Sequence, residues 1–513
     1  MYAGRHAKEH PDQPAIIMAG TREVLTYGEL ETRANRLAAL FRAHGLRRTD
    51  HIALFIENHI DMIVTMAAAE RSGLYYTPVN SFLSAAEAAY IVDDSQARLV
   101  VTSAKKAEVA TQLPALCPKV ERWLMVDADE PPAPFESFAK AVGAYDGRPL
   151  EDERLGTPMF YSSGTTGRPK AVKRALPDVH PTQVPTIEDL GRKLFHMREG
   201  MRFLSPAPLY HSGPQSTISI GLRLSATMVV VEKFEAEEYL RLVEEFKITH
   251  SMVVPTMFSR MLKLPAEVRE RYDVSSLEVV VHGAAPCPRK VKEDMFAWWG
   301  PVLYEYYGGT EANGTCGCTP QEWLAHPGTV GRPFWGEPVI LDEDGNECPP
   351  EVPGTIWFRG GHSAFEYFND PEKTAGSRDP SGTMTTIGDI GYLDEAGYLY
   401  LTDRQAFVII SGGVNIYPQE IENLLITHPD VLDAAVFGVP NDDFGEEVKA
   451  VVQPMDPAKA TDGFAEELME FCRANLAHFK CPRSVDFIER MPRLPTGKLY
   501  KKQLRETYWA ARV

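Results

Sequence analysis

Residues 161–170 read Tyr-Ser-Ser-Gly-Thr-Thr-Gly-Arg-Pro-Lys, which places hydroxyl side chains, two glycines and a lysine in one short stretch. Glycine lets a backbone approach a ligand closely, hydroxyl and N–H groups donate to phosphate oxygens, and lysine adds a compact positive charge. The spacing differs from the G-x-x-x-x-G-K-S/T loop of many NTPases. A Ser/Thr/Gly-rich linker is the alternative, but linkers seldom end in Pro-Lys followed by an apolar run. The stretch therefore predicts a loop that binds a polyphosphate.

Apolar patterning on both sides of this loop predicts alternating strands and helices. A capping box that starts at Thr26 opens an amphipathic helix that Gly45 ends. A buried strand at 52–56, a helix at 60–71 and a strand at 98–102 follow. The alternation returns later, with strands at 227–231, 252–254 and 278–281 and helices at 239–246 and 259–264. Such alternation builds parallel sheets, so two doubly wound βαβ subdomains are predicted.

The pattern changes after residue 341. Short strands with turn dipeptides at 344–345 and 353–354 predict hairpins in a small, mostly antiparallel, barrel-like unit. The residues beyond Arg404 predict a compact α+β domain, with helices at 419–425 and 463–476 and strands at 433–439 and 447–453. The expected fold class is therefore α/β with more than one domain.

The composition bounds the class of protein. The 513 residues include 53 basic and 71 acidic side chains, and the formal net charge of -18 disfavours binding to nucleic acid and to anionic membrane surfaces. The seven cysteines are scattered, unlike a secreted disulfide framework. No stretch approaches the roughly 18 uninterrupted apolar residues of a membrane span, and the first residues lack the apolar core of a signal peptide. These features predict a cytoplasmic protein without transmembrane segments.

The stretch Ser162–Lys170 resembles the signature loop of the adenylate-forming superfamily, which includes acyl-CoA synthetases, peptide-synthetase adenylation domains and beetle luciferases. Five further motifs of that superfamily follow in the expected order. They are Tyr-Gly-Gly-Thr-Glu at 307–311, Thr-Ile-Gly-Asp at 386–389, Asp-Arg at 403–404, Gly-Gly-Val-Asn-Ile-Tyr-Pro at 412–418 and Pro-Thr-Gly-Lys at 495–498. The similarity covers nearly the whole chain, and the branch it resembles is that of the acyl-CoA synthetases, or acid:CoA ligases.

The resemblance implies a large N-terminal domain at 1–403, a hinge at 404–406 and a small mobile C-terminal domain at 407–513 that carries the catalytic lysine. In relatives the C-terminal domain rotates after adenylation, withdraws its lysine and brings a Gly-Gly loop to the pantetheine channel. Gly412 and Gly413 are that loop here.

The resemblance also assigns residues to ATP, Mg²⁺ and coenzyme A. Tyr307 offers an aromatic face for adenine, and Asp389 accepts the ribose hydroxyls. Thr310 donates to the α-phosphate, while Glu311 and Thr166 bind Mg²⁺. The full implied binding set is Ser162, Ser163, Gly164, Thr165, Thr166, Gly167, Lys170, Gly283, Ala284, Ala285, Tyr306, Tyr307, Gly308, Thr310, Asp389, Arg404, Gly412 and Gly413. Structural alternatives remain: Tyr307 as a core aromatic, Glu311 as a surface charge and Asp389 as a turn residue.

Lys498 is the central catalytic residue that the resemblance implies. A carboxylate that attacks an α-phosphate brings two anions together, and a positive charge between them favours the transition state. A solvated basic helix with Lys501 and Lys502 is the structural alternative. The implied catalytic set is Lys498, Thr166, Glu311 and His211.

Two positions depart from the superfamily pattern. Ala406 stands in the hinge where an Asp or Lys is usual, which bears on the ease of domain rotation. Ala171 replaces the common Gly after the loop lysine, which is tolerated where the local φ is negative.

The acid pocket is the least readable part of the sequence. Residues 208–213, Pro-Leu-Tyr-His-Ser-Gly, resemble the segment whose His lines this pocket, and His211 either gates the carboxylate or is a buried, hydrogen-bonded histidine. The small residues Gly283, Ala284 and Ala285 predict room for a bulky or long acid.

The predicted function is ATP-dependent conversion of a carboxylic acid to acyl-AMP with release of pyrophosphate, followed by transfer to coenzyme A. The acid is a medium- or long-chain fatty, aromatic or polycyclic acid, and the protein acts as a monomer or homodimer. An amide synthetase that uses an amine is the main alternative because Ala406 alters the hinge, and a carrier-loading enzyme is another. A non-catalytic nucleotide-binding protein is disfavoured because Lys170, Glu311, Asp389 and Lys498 are all retained.

Overall fold

The computed structural model describes residues 1–162, 169–183, 188–360, 365–404, 407–411, 414–441, 443–493 and 499–510, without the side chains of Arg404 and Ala510. Two compact units account for the chain. The first consists of Met1–Val253, Ala266–Val281 and Ser363–Ala375, and the second of Val254–Pro265, His282–His362 and Gly376–Val513. This division does not follow the hinge expected at 404–406, so the boundary between an N-terminal and a C-terminal domain stays a proposal.

A six-stranded parallel sheet forms one layer of the first unit. Its strands, in spatial order, are Phe135–Ser137, Arg122–Val126, Ala97–Ser103, His51–Phe55, Tyr75–Pro78 and Thr157–Pro158. The central strand His51–Phe55 is buried along its whole length, which agrees with the apolar run that begins at Ile52. Phe55, Val100 and Trp123 belong to one buried cluster beside it. The first of the two predicted parallel subdomains is thereby confirmed.

A second set of strands in this unit is also largely parallel. In spatial order it contains Val279–His282, His250–Val253, Arg202–Ser205, Thr227–Val230, Pro14–Met18 and Val24–Thr26, of which the last pairs antiparallel. The predicted strands at 227–231, 252–254 and 278–281 all lie here, so the second alternating series is confirmed. A small antiparallel sheet adds Phe365–Tyr367, Lys170–Arg174 and Phe160–Ser162.

The first unit also contains helices. They are Gly4–Glu9, Tyr27–Ala43, Ile60–Arg71, Ala85–Asp94, Ala107–Ala110, Leu113–Leu116, Phe138–Gly143, Ser212–Arg223, Ala236–Phe246, Ala266–Arg269 and Pro371–Gly376, with a 3₁₀ turn at Ala104–Lys106 and a π turn at Leu190–Leu194. The helix Tyr27–Ala43 buries Leu30, Ala34, Leu37 and Phe41 on one face, as its spacing predicts.

The capping box at Thr26 is present in full. The Thr26 hydroxyl accepts from the Glu29 N–H at 3.3 Å, and the Glu29 carboxylate accepts from the Thr26 N–H at 2.8 Å. We expect Thr26→Ala to lower the free energy of unfolding by about 1 kcal/mol, because a helix N–H loses its acceptor. Urea unfolding measures this change. Thr111→Ala, at an exposed helix end, is the control and is expected to stay within about 0.5 kcal/mol of the parent; equal losses for the two variants would contradict the assignment.

The second unit is mostly antiparallel before residue 405. Leu303–Gly308, Thr315–Cys318 and Arg332–Trp335 form one series, and Glu337–Leu341, Gly354–Arg359, Met384–Leu393 and Leu399–Arg404 form a four-stranded sheet. The helices of this part are Pro255–Leu262, Arg289–Trp299 and Pro320–Ala325. The small antiparallel unit predicted from the turn dipeptides is therefore confirmed.

The remaining residues of this unit form the predicted α+β arrangement. Its sheet contains, in order, Val414–Ile416, Ile409–Ser411, Gly445–Pro454 and Val431–Asn441, with Ser484–Phe487 parallel to Gly445–Pro454. The helices are Pro418–Leu425, Asp462–Asn475 and Lys501–Ala510, with 3₁₀ turns at Pro457–Lys459 and His478–Lys480. Ile421, Val436 and Leu468 lie together in its buried core.

The structure also bears on the cysteines and on membrane-spanning helices. All seven cysteines are free thiols. Across the described ranges, no helix combines the length and apolarity needed to span a membrane.

Candidate adenylation site

The base of the predicted phosphate loop lies in the first unit. Ser162 and Lys170 face each other in an antiparallel pair, and the Ser162 hydroxyl donates to the Lys170 carbonyl at 3.4 Å. The ammonium of Lys170 lies 2.5 Å from Asp370 Oδ2, a partner that the sequence analysis did not anticipate. Ala171 is buried in the strand, and its φ is not positive, so an alanine fits there in place of the usual glycine. The loop residues Ser163, Gly164, Thr165, Thr166 and Gly167 lie outside the described residues.

His211 precedes the helix Ser212–Arg223, and its ring lies 4.4 Å from that of Tyr210 at a tilted angle. A buried asparagine fixes the segment that leads to it. The Asn58 amide donates to the carbonyls of Ala207 at 3.1 Å and Val231 at 2.8 Å, and its oxygen accepts from the Leu209 N–H at 2.8 Å. The sequence analysis missed Asn58, although an asparagine three residues after the end of a buried strand is a usable signal. Both interpretations of His211 stay open.

Three motifs meet around Asp389 in the second unit. The Tyr307 hydroxyl donates to Asp389 Oδ2 at 2.8 Å, and Arg404 is the backbone partner of Asp389 in the neighbouring strand. Asp389 is buried in the strand Met384–Leu393 and is not a turn residue. The sequence placed these three residues in one nucleotide site, and the structure brings Tyr307, Asp389 and the Arg404 backbone together.

The ring of Tyr307 is itself part of a small core. It is 9% exposed and stacks on Phe358 with ring centroids 6.2 Å apart, beside Cys316 and Ile356. The alternative of a core aromatic therefore describes this ring well. Adenine stacking on Tyr307 stays a prediction.

The ring of Tyr306 lies beside the small residues 283–285, which we call the wall of the predicted acid pocket. A Cβ placed on Gly283 would lie 2.6 Å from Tyr306 Cε1, and Ala284 has a left-handed φ of 66°. Burial raises the pKa of the Tyr306 hydroxyl to about 12. The expectation that small residues leave open space is wrong on the Cβ side of Gly283, because the aromatic ring occupies that space.

This contact gives a direct prediction for Gly283→Ala. We expect the added methyl group to displace the Tyr306 ring and to lower kcat/KM for adenylation by about tenfold, since overpacking costs about 1–3 kcal/mol. ATP–pyrophosphate exchange measures the effect. Gly376→Ala is the matched control, because a Cβ there meets nothing within 4 Å. Wild-type exchange by Gly283→Ala would show that the Tyr306 ring has no role in shaping the site.

Glu311 follows the strand Leu303–Gly308 and is 7% exposed, so it is not a surface charge. A Cβ on Gly309 would lie 2.8 Å from Glu311 Oε2 and 2.9 Å from Ile387 Cδ1. Glycine at 309 is thus needed for this position of the carboxylate. The described residues contain no group of three or more His, Cys, Asp or Glu side chains that could hold a metal. A single carboxylate suits Mg²⁺ that arrives on a nucleotide, because Mg²⁺ is usually bound by one or two carboxylates and substrate phosphates.

A buried ion pair that was not predicted lies next to His282, which directly precedes Gly283. Lys292 Nζ contacts Glu305 Oε2 at 2.6 Å, and His282 Nε2 lies 3.6 Å from the same oxygen. Burial, reinforced by the charge of Lys292, holds the pKa of His282 well below its usual range, so this imidazole is neutral. Glu305 directly precedes Tyr306, so the pair fixes the strand that presents both tyrosines.

Two motifs follow the predicted hinge, the Gly-Gly motif at 412–418 and the Pro-Thr-Gly-Lys motif at 495–498, and the structure describes the residues on either side of their glycine and lysine positions. Ser411 and Val414 pair across Gly412 and Gly413, which lie outside the described residues. Lys498 also lies outside them, between the paired residues Arg493 and Leu499. Positions 405–406 of the predicted hinge, including Ala406, lie outside the described residues as well.

The helix after Lys498 differs from the solvated basic helix considered above. Lys501 is 6% exposed on its side chain and forms a buried ion pair with Glu422 at 2.8 Å. Lys502, by contrast, is partly exposed and has Glu506 as its partner at 3.5 Å.

Two family models match the chain. The model described as AMP-binding enzyme covers residues 4–368, and the model described as AMP-binding enzyme C-terminal domain covers residues 420–498. The chain belongs to the AMP-binding enzyme family. The resemblance to the adenylate-forming superfamily is thereby confirmed, and so is the expectation that the protein is an enzyme of that superfamily.

Relatives of this AMP-binding enzyme use different acyl acceptors. It is 30% identical to the 2-succinylbenzoate–CoA ligase of Bacillus licheniformis, with 98% of each chain covered. It is 31% identical to the fatty acid–acyl-carrier-protein ligase ScoC of Streptomyces coeruleorubidus, with 98% of this chain and 95% of the relative covered. The solved structure of the amide bond synthetase McbA from Marinactinospora thermotolerans matches with a TM-score of 0.83 at 27% identity, covering 99% of both chains.

Proposed function

We propose that this enzyme uses ATP to convert a carboxylic acid to its acyl-adenylate and then transfers the acyl group to coenzyme A. The observation that carries the proposal is the hydrogen bond between Tyr307 and Asp389, with Arg404 opposite Asp389 in the next strand. Residues of three separate sequence motifs converge there. Similarity to a CoA ligase over 98% of the chain supports the choice of coenzyme A.

The first half-reaction follows from the assigned residues. A carboxylate oxygen of the acid attacks the α-phosphorus of ATP, a P–O bond forms, and the bond to the bridging oxygen breaks so that pyrophosphate leaves. Asp389 accepts from the ribose hydroxyls and Thr310 donates to the α-phosphate. Lys498 places a positive charge between the two reacting anions, which lowers the barrier. Glu311 and Thr166 would hold Mg²⁺, which neutralises phosphate charge when bound.

In the second half-reaction, the thiolate of coenzyme A attacks the acyl carbonyl carbon and AMP leaves with the electron pair of the broken C–O bond. Gly412 and Gly413 are assigned to the pantetheine contact. Because glycine lacks a side chain, this loop offers backbone groups to a narrow thiol arm. Rotation of residues 407–513 about a hinge at 404–406 would separate the two steps.

The acid belongs to the fatty, aromatic or polycyclic classes. The Tyr306 ring beside Gly283 gives the wall an aromatic surface, which favours an acid with an extended apolar or aromatic body over acetate. His211 is assigned to the carboxylate end of this acid.

Amide formation is the second candidate function. The observation in its favour is the match to the amide bond synthetase McbA over 99% of both chains. In that case an amine nitrogen attacks the acyl carbonyl, loses a proton and displaces AMP. Adenylation is common to both candidates, so only the acceptor distinguishes them.

The test is mass-spectrometric product detection. Wild-type protein is mixed with ATP, Mg²⁺ and a panel of aryl, fatty and polycyclic acids, with coenzyme A, with a supplied amine, or with neither. Acyl-CoA from one acid class supports the ligase and identifies its substrate. Acyl-adenylate that becomes amide only with amine supports the second candidate, and the absence of adenylate from every acid would overturn both.

A further inference from the structure

The segment after the strand Phe365–Tyr367 lies beside the base of the phosphate loop. Asp370 Oδ2 contacts the ammonium of Lys170 at 2.5 Å, and Asp370 Oδ1 accepts from the Lys373 N–H at 3.0 Å. The side chains of Lys170 and Asp370 are 27% and 19% exposed. The carboxylate is therefore fixed by the next turn of chain with one oxygen and holds Lys170 with the other.

The neighbouring residues tie the other end of the loop to the same segment. The Asn369 amide donates to Asp94 Oδ1 at 3.2 Å, and the Tyr161 hydroxyl donates to Asp94 Oδ2 at 2.6 Å. Tyr161 precedes Ser162 at the start of the loop, whereas Lys170 follows its end. Residues 369–370 thus connect, directly or through Asp94, to both flanks of positions 163–168. We call Lys170, Asp370, Asn369, Asp94 and Tyr161 the loop clamp.

The charges of Lys170 and Asp370 bear on whether Lys170 binds phosphate directly. The hydrogen bond from Lys170 lowers the pKa of Asp370, and the same bond raises the pKa of Lys170, so both groups are ionised at neutral pH. An ammonium that already faces a carboxylate attracts a phosphate less than an isolated one, because the pair carries no net charge. The residue type suits a phosphate ligand, but its observed partner suits an anchor.

We propose that Asp370 is a positioning residue for ATP and that Lys170 acts through this carboxylate, as part of the loop clamp, and not as a direct phosphate ligand. The inference rests on ATP being a substrate, as proposed above. It assigns to Asp370 a role that its position outside the signature motifs does not reveal.

The test is a double-mutant cycle with Lys170→Met, Asp370→Asn and the double variant. Asparagine at 370 keeps an oxygen for the Lys373 N–H, so the local turn is preserved. The readout is the Kd of a non-hydrolysable ATP analogue with Mg²⁺, measured by calorimetry, with KM values for ATP and acid as a second measurement. Thermal unfolding of each variant identifies any loss of fold.

The clamp predicts a particular pattern of effects. Each single variant should raise the Kd about fivefold, at the upper end for a partly exposed ion pair, and the double variant should be no weaker than either single variant. Lys170→Arg should restore wild-type binding, and the KM for the acid should stay unchanged. The opposite pattern overturns the proposal: a large loss for Lys170→Met alone, with wild-type or tighter binding by Asp370→Asn, identifies Lys170 as a direct phosphate ligand.

Lys173 and Glu366 supply a matched control. They are paired at 3.6 Å across the strands Lys170–Arg174 and Phe365–Tyr367, and Lys173 lies three residues further from the loop than Lys170. Lys173→Met and Glu366→Gln should leave the Kd of the ATP analogue unchanged. A wild-type protein that binds no ATP analogue would overturn the proposed function as well. If the wild type binds the analogue but the effects of the two single variants on the Kd multiply in the double variant, the clamp alone is overturned.

Discussion

Lys498→Ala should lower the rate of adenylation at least about a hundredfold while the Kd for ATP stays within a factor of about two. The attacking carboxylate and the α-phosphate repel each other, and charge on the phosphate oxygens grows towards the transition state. A positive charge placed there acts mainly on the transition state, and loss of one such interaction costs about 3 kcal/mol. The variant should therefore lose kcat and keep nucleotide affinity, which is the signature of an interaction made during the reaction.

The measurement is ATP–pyrophosphate exchange with the acid identified by product detection, together with calorimetric binding of an ATP analogue. Lys502→Ala is the matched control, because Lys502 is a surface lysine paired with Glu506 in the following helix. Lys501 is unsuitable as a control, since its ammonium is buried against Glu422 and its loss would destabilise the fold. If Lys498→Ala exchanges pyrophosphate at the wild-type rate, Lys498 does not stabilise the transition state.

The helices and strands of this fold were predicted well from the spacing of apolar residues and from capping residues. The helix Ile60–Arg71 was predicted with the same bounds, and Tyr27–Ala43 begins directly after Thr26, the first residue of the predicted capping box. Strand predictions such as 98–102 fall within Ala97–Ser103. Spacing of apolar residues and capping side chains involves neighbours a few positions apart, and such neighbours are visible in one sequence.

Contacts between distant positions were not predictable in the same way. Lys170 was assigned to phosphate from its residue type, but its carboxylate partner is Asp370, 200 positions away. Gly283 was interpreted as open space, yet the Tyr306 ring occupies the place where a Cβ would stand. The buried pair of Lys292 and Glu305 gave no sequence signal, because charged residues usually face solvent.

The acceptor is determined by features that a single chain shows least directly. Relatives that transfer to coenzyme A, to a carrier protein and to form amides resemble this chain at 27–31% identity. Because this chain resembles relatives of all three kinds, the motifs that identify the family do not separate these acceptors. Acceptor choice belongs to the second half-reaction, and the product experiment is therefore designed around the acceptor as well as the acid.

Asp389→Ala should raise the KM for ATP about a hundredfold with little change in the KM for the acid. A buried carboxylate that accepts from two ribose hydroxyls makes two charge-assisted hydrogen bonds, each worth about 1.5–3 kcal/mol. Asp389 is buried in the strand Met384–Leu393 and accepts from Tyr307, which sets the orientation of its carboxylate. The loss should therefore exceed that expected for a flexible surface carboxylate.

Tyr307→Phe separates orientation from direct binding. It removes the hydroxyl that donates to Asp389 and keeps the ring against Phe358, so we expect a rise in the KM for ATP of about fivefold, or about 1 kcal/mol. Combining it with Asp389→Ala should add nothing, because the hydroxyl acts through the carboxylate. Glu395→Gln removes one negative charge from the exposed turn after the same strand and should leave both KM values unchanged. An Asp389→Ala enzyme whose KM for ATP stays within twofold of the wild type would exclude Asp389 as the ribose ligand and would leave its bond to Tyr307 as a purely structural contact.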